Sequence, residues 1–229
     1  MLSNHTGSNF HGMKLSRHPV AWVAQVLAPW INSNAQLEMS RYQYVPQSFN
    51  DHRSTFRVPI AQVNESSLLE MLMSLESETE LAVHSKVFMN NECYHIPMID
   101  FGSKGSTPSA SEAIKELCRY WNMSFSLYES GRSFHGYGNR LLTNEQWLQF
   151  MGSLLLLNKP SGYKLIDERW VGHRIMGGYS ALRWSKNTSH YKRFPVHCGF
   201  VNADTFHVQE TDINSIAPPP MKPIGPTFL

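Results

Sequence analysis

Long apolar runs are missing from this chain. The longest purely aliphatic stretch in its 229 residues is Leu154–Leu157, far short of the roughly 20 residues that a membrane-spanning helix needs, so no membrane partner is expected. Cysteine is scarce as well: Cys93, Cys118 and Cys198 are scattered, and no Cys-x-x-Cys pair occurs. That spacing argues against a disulfide framework and against a structural zinc knuckle, and isolated reduced thiols fit a cytoplasmic protein. Met1–Gly12 is polar and holds no apolar segment of the kind that marks a secretory leader, so none is expected. Excess charge of either sign is small: 20 Lys and Arg stand against 18 Asp and Glu, a net charge of +2. A bias of this size does not by itself mark a nucleic-acid binder, and it leaves room for a local basic groove.

What is present is enough for a buried core. Hydrophobic residues make up 41% of the chain, and six Trp are among its aromatics; this is the composition of a globular chain and not of a disordered one. Eleven His are more unusual than the charge balance.

Periodicity and turn residues divide the chain. Residues 1–14 read as a flexible polar tail and 15–78 as a small N-terminal α/β module. Residues 79–212 read as the main core and 213–229 as an extended tail in which Pro218–Leu229 hold five prolines, either a strap that docks on a protein partner or a disordered end. The spacing predicts a helix over Pro19–Asn34, interrupted at Pro29, and another over Ser66–Ser77. Strands are expected at Arg41–Gln47, Phe56–Val63, Glu80–Met89 and Tyr94–Asp100. Further strands are expected at Ser124–Ser130, Ser133–Leu142, Lys164–Ile175, Tyr179–Lys186 and Val196–Val208. Ser109/Glu112 and Thr143/Gln146 are capping-box pairs that open two more helices. Frequent hairpins among interleaved helices point to an α+β fold, with helices on one face of a mostly antiparallel sheet. A core like that of an RNA-recognition motif (RRM-like) would fit residues 78–210.

Three segments combine chemistry-bearing side chains. Asp100 ends the apolar run Ile96-Pro-Met-Ile99 just before a turn, where a carboxylate can reach a site at a sheet edge and hold Mg²⁺ together with phosphate oxygens; an Asp that opens a turn fits the same position. In Ser130-Gly-Arg-Ser-Phe-His-Gly-Tyr-Gly138, Ser133 and His135 share one strand face. With Arg132 they could grip a triphosphate, though a Gly-rich hairpin around a core His fits equally. Tyr163-Lys-Leu-Ile-Asp167 again ends apolar residues in an acid. The hairpin after it would return Arg183, Ser185 and Lys186 beside Asp167, unless it is an ordinary surface hairpin. His190, Tyr191, Lys192 and Arg193 form the best local cluster for single-stranded nucleic acid, by basic contacts and stacking, and a solvated loop fits the same residues equally.

The order of these segments resembles the motifs of archaeo-eukaryotic primases and primase-polymerases, and the chain looks closest to the small primase 1D-like proteins of bacteria. Trp170-Val-Gly-His-Arg174 and Tyr179-Ser-Ala-Leu-Arg-Trp-Ser185 are the most specific stretches. The resemblance implies that Asp100 and Asp167 are the metal carboxylates, for Mg²⁺ or Mn²⁺. It implies that Ser133 and His135 are the second motif, whose His contacts the phosphates of a nucleoside triphosphate. Arg183 and Lys186 would be basic residues that hold the triphosphate, beside Arg132 and Ser185. The implied activity is template-dependent nucleotide transfer on single-stranded nucleic acid. One position departs from the pattern: the family's first motif is Asp-x-Asp or Asp-x-Glu, and here Gly102 stands in the second place. Two-metal phosphoryl transfer needs carboxylates to hold two cations about 4 Å apart. With Glu129 or Glu168 as the only candidate substitutes nearby, a binding or sensor module without turnover, in a defence or mobile-element system, is the competing expectation.

Overall fold

A computed structural model describes residues 15–102, 108–131, 133–160, 162 and 164–209. Helix α1 (Pro19–Leu27) begins with proline at its first position, where no N–H is needed, and the His18 imidazole accepts a hydrogen bond from the Val20 N–H. Pro29 then ends it in a single 3₁₀ turn, Ala28–Trp30, as expected from the sequence. Strands β1 (Gln36–Tyr42) and β2 (Arg53–Pro59) follow as a hairpin joined by the loop 43–52, and Asn64 caps α2 (Glu65–Met73).

The expected single strand Tyr94–Asp100 is two strands, β4 (Glu92–His95) and β5 (Met98–Asp100), and they belong to different sheets. Pro97, which has no N–H for a ladder, sits at the crossing. Before it, Ile96 donates to the Ser85 carbonyl in one sheet; after it, Gly138 donates to the Pro97 carbonyl in the other. Gly138 has to be small there, because a Cβ would lie 2.9 Å from the Pro97 ring.

The remaining elements are β3 (Glu80–Met89), α3 (Pro108–Trp121), β6 (Phe125–Glu129), β7 (Phe134–Gly138), β8 (Leu142–Thr143) and α4 (Asn144–Leu155). They are followed by α5 (Glu168–Gly177), β9 (Ala181–Arg183), β10 (Val196–Val201) and β11 (Phe206–Val208). The first sheet runs β2-β1-β3-β4-β8 with β9 also on β3, and the second runs β11-β10-β6-β7-β5; every strand pairing among the described residues is antiparallel. The fold is α+β as expected, but on two sheets rather than one. β1 pairs with β3, so residues 15–78 and the following segment share a sheet.

Strand alternation splits the second sheet between two cores. Phe125 and Leu127 join Ile114, Leu117 and Trp121 of α3 and Phe150 and Leu154 of α4. Tyr128, Tyr137 and Met98 face the other way, into a core with α1, α2 and the first sheet. At the start of α4 the Thr143/Gln146 capping box is present in both directions. The Ser109 side chain, both chain tails and the turn at 103–107 lie outside the described residues. One expectation fails outright. Residues Lys164–Ile175 are not a strand; only Ile166 makes a β-bridge, to Phe101, and Asp167 then caps α5. No described helix is long and apolar enough to cross a membrane.

Candidate functional site

Pairing between β5 and β7 sets Asp100 opposite His135, and alternation turns both toward the first sheet, on the face of Met98 and Tyr137. The chain that leaves β5 then meets the segment before α5. Gly102 donates to the Leu165 carbonyl (2.9 Å), and the Asp167 N–H donates to the Asp100 carbonyl (3.1 Å). Asp167 also accepts the Trp170 N–H at 3.0 Å, so one of its oxygens holds the helix start. Two acids far apart in sequence are thereby fixed side by side, with the His135 Nε2 3.9 Å from an Asp100 oxygen. All three line one cavity of about 460 Å³.

The electrostatics of this corner are unbalanced. Burial, and then the neighbouring Asp167 charge, push Asp100 from the ordinary 3.8 up to about 8, against the pull of Arg183 and Arg174. Burial, helped by Arg183, keeps His135 well below its usual range, so the ring is neutral near pH 7. Its Nδ1 is buried without a hydrogen-bond partner, in a residue only 6% exposed. A buried carboxyl whose ionisation is opposed, beside a second acid, is a donor set that suits a hard divalent cation, with phosphate or water completing its oxygen shell. Among the described residues no group of three His, Cys, Asp or Glu is gathered to hold a metal. A cation at Asp100 and Asp167 would therefore take most of its oxygen ligands from phosphate and water.

The other expected site residues separate into two groups. Ser133 lines the cavity, while Arg132 lies outside the described residues. Arg183 reaches the cavity wall, but its guanidinium donates to the carbonyls of Ser130 (2.7 Å), Arg193 (3.2 Å) and Ser185 and lies over the Tyr191 ring. It ties three chain segments together. Ser185 and Lys186 are not at the cavity. The strand ends at Arg183, so the expected alternation does not reach them. Ser185 is buried with its hydroxyl between the Leu81 N–H and the Glu80 carboxylate, and Lys186 is exposed. Neither Glu129, which pairs with Arg193, nor Glu168, which pairs with Lys164 and Asn158, lines the cavity. At Gly102 itself a Cβ would lie 3.1 Å from the Lys164 carbonyl and 3.3 Å from the Asp167 nitrogen, so the missing acid's place is held by backbone.

The structure adds residues that the sequence did not single out. Arg174 lies two turns along α5 from Asp167, on the same side of the helix, and is 4% exposed. One of its nitrogens donates to Asp51; Nε and Nη1 are buried with no partner. The spacing from Asp167 to Arg174 is helical and could have revealed it, had that segment not been read as a strand. Asp51 and Arg53, from the loop 43–52 and the start of β2, complete the wall. Despite burial, Arg53 and Arg174 hold the Asp51 carboxyl down at about 2. Nothing in the turn-like sequence of that loop signals that it meets α5.

No curated protein and no solved structure matches the chain. A family model described as archaeo-eukaryotic primase 1D-like does match it, over residues 59–196. This is more than half of the chain and contains Asp100, His135, Asp167 and Arg174, while Asp51 and Arg53 precede it. The chain belongs to the archaeo-eukaryotic primase 1D-like family, which carries a primase-like, nucleic-acid-related function.

Proposed function

We propose that the cavity binds the triphosphate of a nucleotide around a single divalent cation held by Asp100 and Asp167. One observation carries this reading: Asp100, whose ionisation burial and the Asp167 charge oppose, and the Arg174 guanidinium, which is tied to Asp51 but has Nε and Nη1 buried without partners, border the same cavity. The acids call for a cation and the guanidinium for an anion, and a metal-bound polyphosphate supplies both. Mg²⁺ or Mn²⁺ would neutralise phosphate oxygens there. Arg174 offers buried N–H donors to a phosphate, and neutral His135 has one ring nitrogen free to donate to or accept from it.

The succession β5-α3-β6-β7, followed after the short β8 by α4, supports an RRM-like core within residues 79–212. His190 and Tyr191 border the cavity, which supports a single-stranded nucleic acid partner approaching from their side. A second reading is template-dependent nucleotidyl transfer. Family membership and the pairing of Asp100 with Asp167 favour it; the backbone packed against Gly102 favours binding without turnover.

Calorimetry with ATP and Mn²⁺ tests binding. Removing a charge-assisted contact is worth about 1.5–3 kcal/mol, so Asp100→Asn, Asp167→Asn and Arg174→Ala should each weaken binding by roughly 10- to 150-fold. Wild-type protein that binds no nucleotide with either metal would end the proposal. Incorporation of labelled nucleotide on a single-stranded template, lost in Asp167→Asn, would establish the second reading.

A further inference from the structure

The acid and guanidinium groups occupy only part of the cavity. The rest is walled by the loop 43–52, which lies outside the stretch shared with the family, and by the segment around His190. Tyr44 projects from that loop into an aromatic cluster: its ring centroid is 4.4 Å from that of His190 and 5.9 Å from that of Tyr191. Tyr191 is itself fixed, with the Arg183 guanidinium 4.0 Å over its ring and its hydroxyl 3.5 Å from that of Tyr42. Tyr44 nevertheless remains 43% exposed and lines the cavity.

A cavity-lining tyrosine that packs on two rings and is still 43% exposed offers a platform for a flat ligand. Gln43, Gln47 and Asn50 line the same cavity, and their amides are of a kind that can exchange hydrogen bonds with the edge of such a ring. The loop is tied to the charged end by α5, because Arg169 donates to the Ser48 carbonyl (2.8 Å) and Arg174 donates to Asp51. One helix thus joins a polyphosphate-binding end to an aromatic end, within a volume suited to one small ligand.

We propose that the loop 43–52 is the base-binding wall of the cavity, with Tyr44 stacking the nucleobase of a nucleoside triphosphate whose phosphates lie at Asp100, Asp167 and Arg174. This rests on the reading of the charged end given above and adds the part of the ligand that the family motifs do not contact. The volume of about 460 Å³ accommodates a mononucleotide. Stacking on an aromatic side chain tolerates every base, so the wall should accept all four, with selectivity left to the loop amides.

Calorimetry on the full chain with Mn²⁺ separates the two ends, using ATP, tripolyphosphate and a short single-stranded oligonucleotide as probes. Wild-type protein should prefer ATP to tripolyphosphate. Tyr44→Ala should cut that preference by about 5- to 150-fold, from the usual worth of one base stack, and Tyr44→Trp should keep it. Equal losses for ATP and tripolyphosphate, or no loss for ATP, would overturn the base wall while leaving the polyphosphate reading in place. A loss seen only with the oligonucleotide would overturn the assignment to a mononucleotide. Wild-type protein that binds neither ATP nor tripolyphosphate would remove the polyphosphate reading, and this one with it.

Discussion

Asp100 is a carboxyl whose surroundings oppose its ionisation. An acid whose pKa rises on folding holds its proton more tightly in the folded state. Between about pH 4 and pH 8 the folded chain therefore carries more protons at this site than the unfolded chain, and stability falls as pH rises through that window. Without divalent cations, Asp100→Asn should raise the melting temperature at pH 8.5 by ~2–4 °C for each kcal/mol relieved, and the gain should vanish near pH 4. Added Mn²⁺ should stabilise the wild type more at pH 8.5 than at pH 6 and should barely affect the variant. A variant that melts lower than wild type by the same amount at both pH values would show that the carboxyl is not strained. Gly102 makes the complementary case. A Cβ at this exposed position would crowd the Lys164–Asp167 backbone at 3.1–3.3 Å, so Gly102→Asp should cost about 1 kcal/mol. It should add no second cation, as counted by Mn²⁺ titration.

At the scale of elements, the readable signals were local ones. Strand β3 was found within its limits because Glu80–Met89 is long, apolar and bounded by turns, and the Thr143/Gln146 box marked the start of α4. The segment 164–177 was misread because Leu165, Ile166, Val171 and Ile175 look like strand residues. The signals that decide the matter are the Asp167 cap and Gly178, which sits in the left-handed conformation at φ 71° and stops α5. That error hid Arg174, whose position opposite the acids exists only if the segment is helical. The fourth and fifth strands were merged for a different reason: apolar periodicity runs through Pro97, while the hydrogen-bond ladder does not. Gly199 tests how tightly an edge is built. A Cβ there would meet the His207 carbonyl at 2.0 Å, so Gly199→Ala should split β11 from β10 and cost at least about 1–3 kcal/mol. Because β11 is at the edge farthest from β5, nucleotide affinity should stay as it was. A drop in affinity as large as the drop in melting temperature would argue against that separation.

For the whole molecule, the site depends on where two sheets meet. The second sheet supplies Asp100 and His135, β9 of the first supplies Arg183, and the hairpin β1–β2 supplies Asp51 and Arg53. The resemblance of the motif order to that of primases implied that Asp100, His135 and Asp167 share a site, and the three line one cavity. It could not place the loop 43–52, whose contacts with α5 join residues more than a hundred positions apart, such as Ser48 and Arg169. Nor could it show that Ser185 turns inward to Glu80, since a buried carboxylate with backbone and hydroxyl donors around it leaves no periodic trace. The family motifs therefore account for one wall of the cavity, and chain packing supplies the other.

The central claim is that Asp100 and Asp167 together hold one cation on a bound triphosphate. Electron paramagnetic resonance of Mn²⁺ titrated into the protein with a non-hydrolysable ATP analogue measures this directly. The account predicts one bound Mn²⁺ per chain that depends on the analogue and is lost in both Asp100→Asn and Asp167→Asn. Retention of the bound ion in both variants, or two bound ions in the wild type, would contradict it.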